Sequence, residues 1–334
     1  MKTWLRLFFG LLVLVILIKI LRKINFGEIY LLIIQANHLY FFLAFLAGMV
    51  SFFVVNLRSI YFMKGIIRPG FFFNLRVILA SFFVNNVTPG PQIGGDLIRA
   101  YFLGKKYKQS KIKLLGAILA DRLFHLTVSL FFIVASVIYI LMNIPISSEL
   151  KIIFQTILFF IFFIFFIILM INFKKTSFDI SWLFKKFKWM IPGNNRKNGK
   201  GEFERIVLKH FKNFIKSFRI VIRNKKILLV GVFLSLIYWF LIYAVSYFLF
   251  LSFGFHIRFF LVIVVVSLGE LIRDFSPSPG GIGLVEGFTI LAYSLIGINP
   301  PIAVAVSLLS RMIFYFFSLL LGGISLVQLE HSLK

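Results

Sequence analysis

The chain has 334 residues, 60% of them hydrophobic and only 14% charged, with a formal net charge of +26, 46 phenylalanines and no cysteine. So apolar a composition excludes a soluble globular domain, which could not cover that much apolar surface with so few charges. The missing cysteines exclude disulfides, thiolate metal sites and cysteine nucleophiles; the positive charge gathers between apolar runs, a pattern of membrane orientation and anionic-lipid contact, not nucleic-acid binding.

Several apolar runs exceed about 18 residues, the length of a membrane-span candidate. Residues 5–21 read as the first span and not as a cleaved signal, because no small-residue cleavage site follows them. Residues 29–55 read as the second. Residues 56–70, with Arg58, Lys64 and Arg68, read as a basic connection. An apolar rise at 71–87 then meets a Pro/Gly breaker at 88–95, followed by a short helix at 96–103. Residues 104–113 hold five lysines. A span at 114–142, a short connection without basic residues at 143–150 and a span at 151–172 come next. Residues 173–226 form a long basic loop. Within it Phe203, Val207, Phe211, Phe214, Phe218 and Val221 repeat at three and four, and Arg205, Lys209, Lys212, Lys216, Arg219 and Arg223 do so two positions out of phase. The two sets oppose each other on a helix, which predicts an amphipathic helix lying on an anionic lipid surface. A span at 226–253, a rise at 258–275, a second breaker at 276–283, a helix at 284–298 and a last span at 301–329 complete the chain.

Lysine and arginine in short loops mark the cytoplasmic side. That places 56–70, 104–113 and 173–226 inside, so residues 71–103 enter and leave from the cytoplasm and residues 258–298 from the outside. Both termini are expected in the cytoplasm and the protein in the plasma membrane. The predicted fold is an all-α polytopic bundle, one transmembrane domain with six full spans and two re-entrant hairpins. Residues 29–142 and 226–329 form its inverted-repeat units.

The breakers resemble each other: Pro-Gly-Pro-Gln-Ile-Gly-Gly-Asp at 89–96 and Pro-Ser-Pro-Gly-Gly-Ile-Gly-Leu-Val-Glu at 277–286. Each ends on a carboxylate, and an in-membrane arginine follows 26 positions after Asp96 (Arg122) or 25 after Glu286 (Arg311). Broken helices at matching positions of inverted repeats point to a transporter's midplane site. Pro89, Pro91 and Pro279 stop the helix. Gly94, Gly95, Gly280, Gly281 and Gly283 allow close backbone approach, with helix N-termini that suit an anion. Charged side chains inside spans are functional-site hypotheses. Arg99, Arg122 and Arg311 are expected to hold an anionic head group, because guanidinium forks onto phosphate oxygens. Asp96 and Glu286 would orient them or exchange protons. Asp121, Glu270, Arg273 and Asp274 are supporting charges that would equally serve as ion pairs locking the bundle. Asn85 and Asn86 are expected to cap the broken helix, and the intramembrane His38 and His125 read as packing residues.

No metal or cofactor site and no enzyme motif is apparent; the glycine- and lysine-rich run at 193–201 is one residue too long for a phosphate-binding loop and lacks its final Ser/Thr.

The motifs at 89–100, 120–123 (Ala-Asp-Arg-Leu) and 278–287, taken in order, resemble the flippase-like membrane domain of lysylphosphatidylglycerol synthases, over nearly the whole chain. The resemblance implies translocation of a lipid: an anionic or aminoacylated phospholipid, or a polyprenyl-phosphate-linked molecule. No soluble aminoacyl-transferase segment accompanies it, so synthesis of the lysyl lipid is not expected. Two rival readings are an integral-membrane enzyme acting on a lipid phosphate and a non-transporting partner of a lipid-modifying enzyme.

Overall fold

The computed structural model describes residues 26–88, 93–143, 148, 151–152, 155–156, 224–276 and 278–333, and among them helix is the only regular structure. That is what lipid demands of a chain without a closed barrel, since every backbone polar group must be satisfied within its own segment. In order, the helices are α1 (Phe26–Ile34), α2 (His38–Met63), α3 (Phe71–Val87), α4 (Ile93–Lys106), α5 (Lys111–Asn143), α6 (Lys225–Ser252), α7 (Phe259–Phe275), α8 (Leu284–Leu295) and α9 (Pro300–Ser332). Four of them, α2, α5, α6 and α9, are long and apolar enough to cross a membrane. They correspond to four of the six predicted spans. The span predicted at 5–21, most of the one at 151–172 and the amphipathic helix of the basic loop lie outside the described residues.

Helix starts follow capping chemistry. Asn37 Oδ1 accepts from the Leu39 amide at 3.0 Å, and Asn224 Oδ1 accepts from the amides of Lys226 and Ile227, so each satisfies donors that a helix N-terminus leaves free. Pro300, which has no amide to lose, opens α9.

One boundary differs from the sequence reading. The run at 29–55 is not one span: the chain breaks at Gln35–Asn37, and α2 continues past Val55 to Met63. Asn56 and Arg58 had suggested a loop, but both are buried in the helix with partners. Asn56 Nδ2 donates to the Phe71 carbonyl at 3.1 Å, and its Oδ1 accepts from Asn74 Nδ2 at 2.8 Å. A polar residue ends a span only where nothing inside satisfies it.

The chain divides into two units, Met1–Ser136 with Phe211–Lys334, and Val137–His210; everything below lies in the first. There α2 and α6 pack along their lengths as antiparallel neighbours. Early in α6, Gly231 faces Phe62, late in α2; early in α2, Gly48 faces Val245, late in α6. At the far end the Asn37 amide donates to the Ser252 carbonyl at 2.7 Å. Small residues at such contacts let backbones approach where lipid offers no hydrophobic drive.

Helices α3 and α4 fold back on each other across the first break. Gly95 at the tip lies against Ser81 and Asn85, and at the base the Tyr107 hydroxyl accepts from the Gly70 amide at 2.9 Å. Helices α7 and α8 do the same across the second break, with Gly269 against Thr289 and Gly281 against Arg273. A cluster built on Phe62, Met63, Leu103, Leu114, Ile118, Ile227 and Leu329 joins the end of α2, the start of α5, the start of α6 and the end of α9. Lys64, Arg68, Lys105, Lys106, Lys108, Lys111, Lys113, Lys225 and Lys226 all fall near this end of the bundle.

Candidate functional site

The first break places Asp96 in the opening turn of α4, where an acidic side chain favours the helix dipole. From it runs an alternating chain of ion pairs. Asp96 Oδ2 accepts from Arg122 Nη1 of α5 at 2.7 Å, and its Oδ1 lies 3.5 Å from Arg99 Nη1, one turn along α4. Arg99 Nη2 reaches Asp121 Oδ2 at 3.1 Å and also donates to Ser59 Oγ at 2.9 Å. Asp121 Oδ1 accepts from Arg58 Nε of α2 at 2.6 Å. Arg58 Nη1 donates to Ser235 Oγ of α6 at 3.0 Å and lies 3.3 Å from His125 Nδ1. His125 stacks on Trp239 with ring centres 5.1 Å apart and meets Tyr238 edge-on. It packs, as expected, but it also touches a buried cation.

The second break is held by backbone geometry. Gly280, Gly281 and Gly283 have φ of 57°, 75° and 86°, a region closed to most side-chain-bearing residues. Glu286 Oε2 accepts from the Gly283 amide at 2.7 Å, while its Oε1 accepts from Arg311 Nε at 2.8 Å. Arg311 Nη2 donates to the Gly280 carbonyl at 2.8 Å, and the guanidinium lies over the Tyr315 ring at 5.1 Å. One arginine therefore clamps both ends of the break. In α7, Glu270 pairs with Arg273.

The tips of the two hairpins meet. A Cβ on Gly280 would come within 3.3 Å of Asn86 Oδ1, and Asn86 Nδ2 donates to Ser318 Oγ at 2.7 Å. Ser318 belongs to a π-helical turn, Phe316–Leu321, inside α9; such turns recur at functional sites. Beside this junction a small cleft of about 80 Å³ is lined by Arg58, Arg99, Arg122, Arg273, Asp96, Asp121, Asp274, Asn85, His125 and Tyr238, among others. Two further clefts follow in series, the first adjoining this one and the second adjoining the first through Ile242, Glu270, Arg311 and Phe314. One shares Phe82, Tyr238 and Arg273 with it and also reaches Glu270 and Arg311; the other is lined by Glu270 and Arg311 with the hydroxyls of Ser246, Thr289, Tyr293, Ser307 and Ser310.

The structure thus brings Asp96, Arg99, Asp121, Arg122, Arg273 and Asp274 to one cleft and Glu270 and Arg311 to its neighbours, with Glu286 bonded to Arg311. Arg99, Arg122 and Arg311 each hold a carboxylate. Two tip amides that the sequence had aimed at an anion are occupied within the chain: the Gly95 amide donates to Asn85 Oδ1 at 2.7 Å, and the Gly283 amide to Glu286. Asn85 therefore caps the helix beyond the break. Gly94 sits against Val84 and Thr88 at the same tip. Pro279 opens the short turn Pro279–Gly281, while Pro89 and Pro91 lie outside the described residues. Arg58 is the site residue that the sequence reading missed. The available signal was the apolar run Ile60–Met63 beyond it, which continues the helix. Among the described residues no group of three or more His, Cys, Asp or Glu is placed to hold a metal ion.

Comparison with known proteins locates this architecture. The family model described as the lysylphosphatidylglycerol synthase TM region matches residues 4–322. Similar chains include a UPF0104 membrane protein of Methanothermobacter thermautotrophicus, 25% identical over 74% of this chain and 72% of its own. Another from Pyrococcus horikoshii is 26% identical over 89% of each. A third, from Methanocaldococcus jannaschii, is 24% identical over 95% of this chain and 93% of its own.

Proposed function

The chain belongs to the family of the lysylphosphatidylglycerol synthase TM region, and from that premise we propose that it is a lipid transporter, moving a phosphate-bearing lipid between the leaflets of the plasma membrane. The observation that carries the reading is the arginine-rich cleft where the tips of two broken hairpins meet inside an apolar bundle. Irregular backbone and charge are tolerated at membrane depth only where they are buried in protein or line a polar cavity. In this reading Arg99 and Arg122 take the head-group phosphate and Arg311 serves the corresponding place at the second break. Asp96 and Glu286 hold the guanidinium groups in position until a lipid phosphate replaces them as acceptor.

An inverted repeat accounts for the element pattern. A long helix, a 17-residue half-helix, a shorter return helix and a 33-residue helix occur twice, as α2, α3, α4, α5 and as α6, α7, α8, α9. The antiparallel pairing of α2 with α6 is what two units of opposite orientation require. Alternating access would then rock one hairpin against the other.

The deciding experiment is leaflet exchange in proteoliposomes with labelled anionic phospholipid and with labelled polyprenyl phosphate, comparing wild type with Arg122→Ala. Wild-type exchange of either lipid, reduced at least tenfold by the substitution, is the expected result. Exchange that survives Arg122→Ala would remove the site, and no exchange of either lipid under an imposed proton gradient and membrane potential would remove the transport reading.

A further inference from the structure

The charges of the arginine-rich cleft are balanced. Arg58, Arg99, Arg122 and Arg273 line it with Asp96, Asp121 and Asp274, and the fourth carboxylate is Glu270, ion-paired to Arg273 from the adjoining cleft. Arg311 and Glu286 form a pair of their own. A lipid phosphate that replaces a carboxylate on Arg99 or Arg122 therefore brings a fifth negative charge to four arginines. Inside the membrane an unmatched charge is expensive, and a carboxylate left without its cation is relieved by binding a proton. The geometry singles out one carboxylate for this. Asp121 is held by Arg58 at 2.6 Å and Arg99 at 3.1 Å, and Asp96 by Arg122 at 2.7 Å with Arg99 at 3.5 Å. Glu270 pairs with Arg273 and stands one turn before Asp274 on α7, at the i,i+4 spacing where two like charges meet on a helix face.

A second observation concerns what lies behind it. Glu270 also lines the last cleft of the series, with Arg311 and the hydroxyl-bearing Ser246, Thr289, Tyr293, Ser307 and Ser310. Thr289 Oγ1 and Ser307 Oγ are 2.6 Å apart. Tyr293 is 1% exposed, and its hydroxyl, beside Ser246, is enclosed with no partner at hydrogen-bond geometry among the described residues. A cleft of about 50 Å³ has room for water, which satisfies such enclosed polar groups. Water and hydroxyls together make a path for a proton to a carboxylate.

We propose that Glu270 is the coupling site of the protein: it takes one proton, through the hydroxyl-lined cleft, for each lipid phosphate that the arginine cleft takes. The inference rests on the transport reading for the phosphate and names the ion that travels with it. The proton comes from water and adds to a carboxylate oxygen of Glu270. The ion pair with Arg273 then opens, and Arg273 is left to the anions of the cleft it lines. The groups that face Glu270 are Arg273 and Asp274 on its own helix, Tyr238 and Tyr243 of α6, Tyr293 of α8, and Arg311, with its Glu286, and Tyr315 of α9. Arginine and tyrosine side chains ordinarily keep their protons near neutral pH, which leaves the carboxylates as the groups to be told apart.

The test is equilibrium binding of dihexanoyl phosphatidylglycerol, a phosphodiester whose own charge does not change with pH in this range, to the full chain in neutral detergent between about pH 5.5 and 8. If one proton is bound with each phosphate, wild-type affinity should rise by about tenfold for each unit that the pH falls. Glu270→Gln, already relieved of one negative charge, should bind the probe with no dependence on pH, and Glu270→Asp should keep the dependence. Infrared difference spectra identify the group: adding the probe should produce a protonated-carboxyl band that Glu270→Asp shifts and Asp274→Glu leaves in place. Wild-type affinity that ignores pH, or that follows sodium concentration in place of pH, would overturn the proposal. So would a pH dependence that survives Glu270→Gln, which would give the proton to His125 or to another carboxylate, or a band that moves with Asp274→Glu. Leaflet exchange of long-chain phosphatidylglycerol in proteoliposomes separates this inference from the transport reading. Proton-linked binding without exchange upholds the inference and sinks transport; exchange with binding that ignores pH does the reverse, and no binding of the probe at any pH together with no exchange sinks both.

Discussion

A guanidinium group buried in a membrane protein keeps its charge, so its neighbours decide whether it stabilises or disrupts. Arg311 shows how closely one residue can be held: Glu286, the Gly280 carbonyl and the Tyr315 ring share it. Its side chain is 14% exposed and that of Glu286 9%, so breaking the pair leaves a charge with little water to turn to. Glu286→Ala should therefore destabilise the protein by about 3–5 kcal/mol, the usual cost of orphaning one partner of a buried pair. Glu286→Gln with Arg311→Leu, which removes both charges, should cost distinctly less. Thermal unfolding in detergent compares the two, and equal losses would show that the pair is not the clamp described here.

At the scale of elements, the hairpins depend on glycine at particular points and not on glycine in general. Gly95 is where α4 presses onto α3, and a Cβ there would run into the Ser81 carbonyl and the Asn85 side chain. The Asn85 cap on the Gly95 amide exists only at that distance. Gly70, at the start of the same hairpin, has an extended backbone and nothing within 4 Å of a built Cβ. Gly95→Ala should lower stability by about 1–3 kcal/mol, as overpacking does, while Gly70→Ala should be neutral within about 0.5 kcal/mol. Chemical or thermal unfolding of both variants in one detergent checks the contrast; a neutral Gly95→Ala would mean that the hairpin tip yields. Gly322 plays a related part in α9, where a Cβ would lie 2.5 Å from the Leu79 carbonyl of α3. The same helix holds Asn86 through Ser318, so the first hairpin is fixed to α9 at two levels.

For the whole molecule, the basic residues at the α2–α3 and α4–α5 connections and at the start of α6 fall near one end of the bundle, and the end of α9 joins them through the cluster around Leu329. Among the described residues the opposite end, around Asn37, Ser252 and His256, has fewer: Arg258 is the lysine-or-arginine residue of the α6–α7 connection. The positive-inside rule predicts that the first end faces the cytoplasm. The chain has no cysteine, so single replacements report orientation directly. In intact cells, Lys108→Cys should resist a membrane-impermeant maleimide until the membrane is opened, whereas the exposed His256→Cys should react at once. Labelling of both from the same side would refute the arrangement.

Much of this was written along the chain. Hydropathy and length marked α2, α5, α6 and α9, because lipid leaves a span no alternative to an apolar helix of sufficient length. Proline and glycine marked both breaks for the same reason, and the matched spacing from Asp96 to Arg122 and from Glu286 to Arg311 paired each carboxylate with its arginine before any coordinate. What lay beyond the sequence was decided by contacts between distant segments. Arg58 read as a loop residue because its polarity was visible and its partners were not: Asp121 is 63 positions away and Ser235 is 177. The tip amides read as open to an anion, yet Asn85 and Glu286 reach two of them. Period and composition report what each segment requires of its surroundings. Which segment supplies it, and so which charges face the cleft, is set only when the helices pack.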